Sequence, residues 1–136
     1  MKKLLYISIA ITGFLITSCA SDKKDEPVPE ATDAREKLVG YWSVVENTTS
    51  GQNTHTVNIT KSTTNASEII INNFSSLPVS VRASVSNNNL TIPFQQMGSL
   101  GFTKGSGVYN GSNSISLAYT NTISTTVDTC TATYTK

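Results

Sequence analysis

The side chains that could carry out chemistry are few in this sequence and lie far apart. From residue 38 onward the chain has one histidine, His55, and three carboxylates, Glu46, Glu68 and Asp128. A general base needs an orienting partner and a metal site needs several ligands, and these residues form no cluster along the chain. His55 shares strand parity with the apolar Val57, which favours a packing or rim position. We therefore predict no catalytic residues, no metal site and no cofactor.

The two cysteines lie in different surroundings. Cys130 falls on the apolar side of the alternating stretch DTCTATYTK, which predicts a buried and unreactive thiol. Cys19 follows Lys2, Lys3 and the apolar run LLYISIAITGFLI, an order typical of a secretory signal peptide. The apolar run is too short for a comfortable transmembrane helix, which needs roughly 20 residues.

The sequence ITSC at 16–19 resembles the bacterial lipobox, in which the cysteine thiol is diacylated and becomes the mature N-terminus. The resemblance implies that residues 1–18 are a lipoprotein signal peptide and that Cys19 carries the lipid. Two or three acyl chains anchor a protein stably, because each buried methylene contributes about 0.8 kcal/mol. We therefore predict a membrane as the partner of Cys19, which leaves Cys130 without a cysteine for a disulfide.

Residues 19–36 are rich in charge and proline and poor in large apolar side chains, so we predict a flexible linker. The acidic, serine-containing start of this segment resembles the export signal of Bacteroidetes surface lipoproteins, although Lys23 and Lys24 interrupt it. The resemblance implies a lipid-anchored outer-membrane protein, with the cell surface and the periplasmic leaflet both open.

Residues 37–136 form one predicted domain of ordinary size. The formal net charge of the chain is +1, and removal of Lys2 and Lys3 with the leader would change it to −1. Nucleic-acid binding needs clustered Lys and Arg at the phosphates, so this nearly neutral chain is not expected to bind nucleic acid. Abundant Ser, Thr and Asn fit either a disordered coat or a β-domain with a hydroxyl-covered exterior.

Alternation favours the β-domain. In SNSISLAYT, Ile115, Leu117 and Tyr119 share one face and the residues between them share the other. VSVRASV and DTCTATYTK alternate in the same way. Strict alternation is typical of strands with one buried and one exposed face, so we predict an all-β fold.

Turn signals divide the domain into eight candidate strands. They span residues 41–47, 54–61, 67–74, 79–86, 89–94, 99–109, 113–121 and 124–135. Short connections favour antiparallel neighbours, and eight strands in sequence favour a small closed up-and-down barrel, which has no exposed sheet edge. A β-sandwich would give the same alternation and is the alternative. The glycine-rich GFTKGSGVYNG predicts a bulge or bend.

A short helical turn is predicted before the first strand. Thr32 or Asp33 would be its N-cap, Glu36 would complete a capping box, and Gly40 would end it. This turn and the G-x-W sequence that ends at Trp42 resemble the entry to a lipocalin or calycin barrel. The domain is also similar to small calycin-like lipoproteins of Bacteroidetes in the stretches LVGYWSVVEN, EIIINNF, VSVRASVSNNNLTIPFQQ, GSGVYN and DTCTATYTK.

The resemblance implies that Trp42 closes one end of the barrel, with Lys136 as the basic residue near the C-terminus that could cover it. Trp42 could instead form a wall of a ligand cavity. Together with residues of inward strand parity it gives the predicted ligand-binding set, which is Trp42, Phe94, Leu117, Tyr119 and Tyr134. Further inward positions by parity are Val44, Val81, Ala83, Leu90, Ile92, Val108 and Ala132.

Three functions remain open. The first is a binding protein that takes a small apolar or amphipathic ligand in the barrel mouth, or a surface partner across its loops. The second is a non-catalytic structural or adhesion-type surface protein with a filled barrel. The third is a hydrolase of glycans, which would need two carboxyl groups about 5–9 Å apart. We predict the first, and a protein that is not an enzyme.

Overall fold

A computed structural model describes residues 31–136 of the chain. The predicted signal peptide at 1–18, Cys19 and most of the predicted linker lie outside the described residues. Every strand and core side chain described below lies within 31–136, so a chain that begins at Ala20 retains the whole barrel. In this part of the chain, no helix has the length and apolar character needed to cross a lipid bilayer.

Eight antiparallel strands form a closed barrel, in which each strand pairs with the next and the last pairs with the first. The strands are β1 (Gly40–Thr48), β2 (Gly51–Lys61), β3 (Glu68–Asn72), β4 (Ser80–Ser86), β5 (Asn89–Met97), β6 (Gly101–Gly111), β7 (Ser114–Ile123) and β8 (Thr126–Thr135). A short 3₁₀ turn at Glu36–Leu38 precedes β1, and a short turn at Phe74–Ser76, in which Ser75 and Ser76 have positive φ angles, follows β3. The predicted all-β up-and-down barrel is confirmed, and the sandwich alternative is wrong because β1 pairs with β8.

Side chains fill the lumen of the barrel. Alternate residues point inward, as in β1, where Trp42, Val44 and Glu46 are buried between exposed neighbours. The apolar core consists of Leu38, Trp42, Val44, Val57, Ile59, Ile69, Ile71, Phe74, Val81, Ala83, Val85, Leu90, Ile92, Met97, Ile115, Leu117, Tyr119, Cys130, Ala132 and Tyr134. Burial of this apolar surface is the dominant favourable contribution to folding.

Phe94 does not point into the barrel, and its predicted inward position is wrong. Its side chain is 69% exposed on the outer face. A β-bulge between Ile92 and Gln95 shifts the register of β5 against β6. As a result the buried positions of β5 change from Leu90 and Ile92 to Met97. One extra residue in a strand moves all later side chains to the opposite face, which is why Phe94 lies outside.

Val108 also lies on the outer face, and its predicted inward position is wrong. In β6 the inward positions belong to Gly105 and Gly107, which lie opposite Tyr119 and Leu117 of β7. A Cβ at either glycine would lie 2.5 Å from a backbone carbonyl oxygen of β7. Because the two glycines have no side chains, the large side chains of β7 fill this part of the lumen. A register shift near the end of β6 confirms the predicted bulge in this glycine-rich segment.

Trp42 is fully buried at one end of the barrel, which we call the closed end. Its indole Nε1 donates a hydrogen bond of 2.7 Å to the carbonyl of Leu38, in the first 3₁₀ turn. The ammonium group of Lys136 lies 4.6 Å from the centre of the Trp42 ring. Trp42 therefore has the position of a plug, as the calycin resemblance implies.

The residues just before β1 are attached to the barrel. Arg35 pairs with Asp33 at 2.8 Å, and Lys61 of β2 pairs with both Asp33 and Glu36. The hydrogen bonds from Arg35 hold the pKa of Asp33 well below its usual range. Asp33 accepts from the backbone N–H of Arg35, and Glu36 binds Lys61, so the predicted capping box does not form. The end of the predicted linker therefore lies against β2.

Candidate functional site

A cavity of about 350 Å³ lies at the end of the barrel opposite Trp42, which we call the cavity end. Here β1 and β7 end, β2 and β8 begin, and the loop between β3 and β4 crosses the rim. The lining residues are Glu46, Thr48, Ser50, Asn53, Ser75, Leu77, Asn121, Ile123, Thr126 and Asp128. They combine carboxylates, hydroxyls and amides with two apolar side chains, which is a surface suited to a small amphipathic molecule.

Glu46 is the buried carboxylate of this cavity. It takes the inward position of β1 that follows Val44, and only 1% of its surface is exposed. Ser75 donates a hydrogen bond of 2.8 Å to Glu46 Oε1. No Lys or Arg side chain within residues 31–136 forms an ion pair with Glu46. Glutamate side chains are almost never fully buried unless they are paired, so Glu46 marks this end of the barrel as a candidate site.

The β3–β4 loop presents Ser75 to the cavity. Asn73, Ser75 and Ser76 have φ angles of 62°, 54° and 59°. Such angles are uncommon for residues other than glycine, and backbone strain of this kind concentrates at functional sites. The loop is anchored by Phe74, whose ring packs 4.6 Å from the ring of Tyr119 in the core. The core thereby fixes the position of the Ser75 hydroxyl.

Asn121 extends the hydrogen-bond chain from β7. Its Nδ2 donates a hydrogen bond of 3.1 Å to Ser75 Oγ. The Asn121 side chain is only 4% exposed, and its Oδ1 has no hydrogen-bond partner within residues 31–136. An unpaired buried polar atom costs about 1–3 kcal/mol. Because Asn121 lines the cavity, a ligand with a hydrogen-bond donor could supply the missing partner.

Asp128 adds a second carboxylate to the cavity lining. Thr49 donates two hydrogen bonds to Asp128 Oδ1, from its backbone N–H at 2.9 Å and from its hydroxyl at 2.7 Å. These bonds hold the pKa of Asp128 below its usual range. The lining contains Glu46 and Asp128 but no Lys, Arg or His. The cavity is therefore electrostatically negative.

His55 and Tyr134 lie within electrostatic reach of Glu46. His55 of β2 lies opposite Val44, and its ring nitrogens have no hydrogen-bond partner in the described part of the chain. The hydroxyls of Tyr119 and Tyr134 are unpaired there as well. Burial lowers the pKa of His55, although Glu46 acts in the opposite direction, and burial raises the pKa of Tyr134. Both groups are therefore uncharged near pH 7, and neither neutralises Glu46.

The predicted ligand-binding residues do not meet at this cavity. Trp42 lies at the closed end, and Leu117, Tyr119 and Tyr134 are buried in the core. Phe94 lies on the outer face. None of the five lines the cavity end, and their role in ligand binding stays a prediction.

Two of the three carboxylates considered from the sequence line the cavity. Glu46 and Asp128 are brought together there because β1 ends where β8 begins. Glu68 instead begins β3 at the closed end. His55 has the predicted inward parity, and Cys130 is buried as predicted. Burial raises the pKa of the Cys130 thiol to about 12.

Sequence reasoning missed Ser75 and Asn121. The signal for Asn121 was present, because it follows Tyr119 at an inward position and is polar where an apolar residue is expected. Glu46 interrupts the inward apolar series of β1 in the same way. No comparable signal exists for Ser75, because it lies in a loop and has no strand parity.

A second groove, of about 490 Å³, crosses the outside of β5 to β8. Phe94 lines it and stacks on Phe102, with ring centres 5.2 Å apart and ring planes 8° apart. Outward residues of β6 to β8, among them Lys104 and Ala118, complete the groove together with the inward residues Ile92, Gly105 and Tyr119. The lining contains no carboxylate, and Phe94 and Tyr119 are the two predicted ligand-binding residues that meet in it. It is an exposed, largely apolar surface of a kind that contacts other molecules.

Within residues 31–136, no group of three or more His, Cys, Asp or Glu side chains could hold a metal ion. In comparison with known proteins, the chain matches no family model and no curated protein. The cavity geometry therefore carries the functional assignment.

Proposed function

We propose that this protein is a lipid-anchored envelope protein whose calycin-like barrel binds a small amphipathic ligand at the cavity end. The observation that carries the proposal is the cavity of about 350 Å³ in which Glu46 and Asn121 meet the apolar Leu77 and Ile123. Ligand pockets commonly measure about 300–1,000 Å³ and combine apolar walls with a few polar groups. The polar part of the ligand binds Glu46 and Asn121, and its apolar part contacts Leu77 and Ile123.

The filled lumen limits where such a ligand can bind. Trp42, Tyr134 and the other core side chains occupy the inside of the barrel. A ligand that replaced them would open a cavity in the core, which typically costs several kcal/mol. The proposed ligand is therefore small and lies at the mouth of the barrel rather than along its axis.

Glu46 and Asp128 line one cavity, which is also an arrangement that a glycan hydrolase would use. Such an enzyme needs one of its carboxyl groups protonated as a general acid. Thr49 holds the pKa of Asp128 low, so Asp128 is a poor candidate for the general acid. We therefore propose binding without catalysis.

A structural or adhesion-type surface protein is the second candidate. The exposed stack of Phe94 and Phe102 favours it, because exposed aromatic surface commonly marks contact sites. In this alternative the outer groove meets a surface partner and the cavity end stays empty. A lack of ligand binding at the cavity end would therefore favour the alternative.

The anchor is tested by metabolic labelling of cells with a radioactive fatty acid. We expect the full-length protein to incorporate label and Cys19→Ser to incorporate none, because the acyl chains are proposed to be attached to this cysteine. Cys130→Ser is the matched control, since it removes a buried thiol and should keep the label. Equal labelling of the wild type and Cys19→Ser would contradict the anchor.

The binding site is tested by NMR on residues 20–136, which retain the whole barrel. The probes are hexylammonium, hexanol and hexanoate, which share a short apolar chain and differ in the charge of the head group. We expect at least one of them to shift the amide signals of the cavity lining in a saturable way. Shifts confined to the outer groove, or no shifts, would contradict binding at the cavity end.

A variant pair then tests the apolar part of the site. Leu77→Ala removes a half-buried lining side chain. It should lower the affinity for the probe about tenfold, because buried methylene contacts are lost. Leu100→Ala makes the same chemical change at an exposed position outside the lining and should leave the affinity unchanged. Equal effects of the two variants would contradict the assignment of Leu77 to the site.

A further inference from the structure

The hydrogen-bond chain at the cavity end has a fixed direction. Ser75 donates its one hydroxyl hydrogen to Glu46 Oε1. Ser75 Oγ can then only accept from Asn121, which must present Nδ2 rather than Oδ1 to it. Asn121 Oδ1 is thereby directed away from Ser75, buried and without a partner in the described part of the chain. This series of hydrogen bonds therefore leaves a ligand a buried acceptor in Asn121 Oδ1 that is unpaired within residues 31–136.

The acidic side chains of the lining also favour a ligand that donates hydrogen bonds. Glu46 accepts from Ser75 through Oε1, and both bonds from Thr49 to Asp128 end on Oδ1. A carboxylate has about four lone-pair sites, so both groups keep acceptor capacity. No cationic side chain lines the cavity. An anionic ligand would meet like charge, and a ligand with acceptors alone would leave Asn121 Oδ1 unpaired.

A protonated amine complements these groups. An ammonium group has three N–H donors and no acceptor, and its hydrogen bonds to carboxylates are short and strong. Leu77 and Ile123 provide apolar contact for a chain of a few carbons. A metal cation fits less well, because Ca²⁺ takes 6–8 oxygen ligands and no cluster of three acidic or other metal-binding side chains lies within residues 31–136.

We infer that the ligand of the cavity end is an organic ammonium ion with a short apolar chain, bound by Glu46 and Asn121 with Asp128 as the second carboxylate. The inference rests on the proposed function, since it names the chemical class of ligand for the same cavity. It assigns the ammonium group to Glu46 and Asn121 Oδ1, and the carbon chain to Leu77 and Ile123.

The test measures the affinity of residues 20–136 for hexylammonium, hexanol and hexanoate by NMR titration at constant ionic strength. We expect hexylammonium to bind at the cavity end at least about tenfold more tightly than hexanol, because charge-assisted hydrogen bonds are roughly twice as strong as neutral ones. Hexanoate should give no shifts there. Calcium chloride is added in a separate titration and should not compete with hexylammonium.

The outcomes separate the inference from the proposed function. If hexanol or hexanoate binds at the cavity end as tightly as hexylammonium, the inference is overturned and the proposed function stands. If Ca²⁺ displaces hexylammonium at similar concentration, the site is one for metal cations and the inference is likewise overturned. If none of the probes binds at the cavity end, both fail.

A charge variant isolates the role of Glu46. Glu46→Gln keeps the size of the side chain and an acceptor for Ser75, so hexylammonium should bind at least about tenfold more weakly while hexanol is little affected. Glu68→Gln makes the same charge change at the closed end and should leave both affinities unchanged. Equal losses in the two variants would overturn the inference, because the effect would then be one of net charge.

Asp128→Asn provides a second variant if Glu46→Gln does not fold. Asp128 lies outside the apolar core, and an asparagine keeps an acceptor for Thr49. We expect hexylammonium to bind several-fold more weakly to this variant, since one of the two carboxylates of the lining is lost. An unchanged affinity in this variant would overturn the assignment of Asp128 to the ammonium site.

Discussion

The ammonium group of Lys136 lies 4.6 Å from the centre of the Trp42 ring and donates a hydrogen bond of 2.6 Å to the carbonyl of Val39. Trp42 in turn donates to the carbonyl of Leu38. The C-terminal end of β8 and the segment before β1 are thereby held together over the plug of the closed end. This contact completes the closure of the barrel between its first and last strands.

Lys136→Met should lower the free energy of unfolding of residues 20–136 by about 1 kcal/mol, through loss of a cation–π contact and a hydrogen bond. Methionine keeps an apolar side chain of similar length over the indole ring. Lys104→Met is the control, because Lys104 is exposed on the outer face. Urea unfolding measures both variants, and equal effects would contradict the contribution of the Lys136 contact.

Gly105→Ala should destabilise the barrel by about 2–3 kcal/mol, because overpacking of a filled core forces backbone shifts. A Cβ at Gly105 would meet the Cβ of Tyr119 and lie 2.5 Å from the carbonyl oxygen of Ala118. Ser106→Ala changes the next residue, which points outward. Its free energy of unfolding should stay within about 0.5 kcal/mol of that of the wild type. A stable Gly105→Ala protein would show that β6 and β7 can separate without cost.

Strand number, order and closure could be predicted from the sequence because one face of each strand is buried. Ile115, Leu117 and Tyr119 point inward as their alternation predicts. The prediction failed at Phe94 and Val108, where apolar residues lie outside. A bulge in β5 exchanges its inward and outward faces. In β6, glycines hold inward positions, so the apolar residue Val108 lies on the outward face. Neither effect can be read from apolar spacing alone.

The candidate site was harder to predict than the fold. Glu46 and Asn121 break apolar series in two strands that are distant in sequence, and only barrel closure brings them to one end. Ser75 joins them from a loop that has positive φ angles although it contains no glycine, so the sequence gives no signal for its conformation. Long-range geometry of this kind depends on register and loop conformation, which a single sequence specifies weakly.

His55 should make the stability of the barrel depend on pH. Burial lowers its pKa in the folded state, so the unfolded chain binds a proton more readily as the pH falls below about 6.5. The free energy of unfolding should therefore fall between about pH 7.5 and pH 5.5. The His55→Gln variant cannot take up this proton, so its free energy of unfolding, measured by urea unfolding, should fall less over the same pH range. Identical pH dependence of the two proteins would contradict a half-buried, neutral His55.

Cys130 should resist alkylation in the folded barrel. Burial raises the pKa of its thiol from 9.0 to about 12, and the thiolate is the reactive form. In residues 20–136, the sole thiol should react with iodoacetamide about a thousandfold more slowly in the folded state than in concentrated urea at about pH 8.5, from the thiolate fraction alone.

A matched exposed thiol provides the comparison for Cys130. Thr131 is the next residue of β8 and points outward, so Thr131→Cys combined with Cys130→Ser should react at nearly the same rate in the folded protein and in urea. Mass spectrometry of the alkylated chains measures both rates. Rapid labelling of Cys130 without denaturant would mean that β8 opens readily, which would contradict a closed barrel with a fixed core.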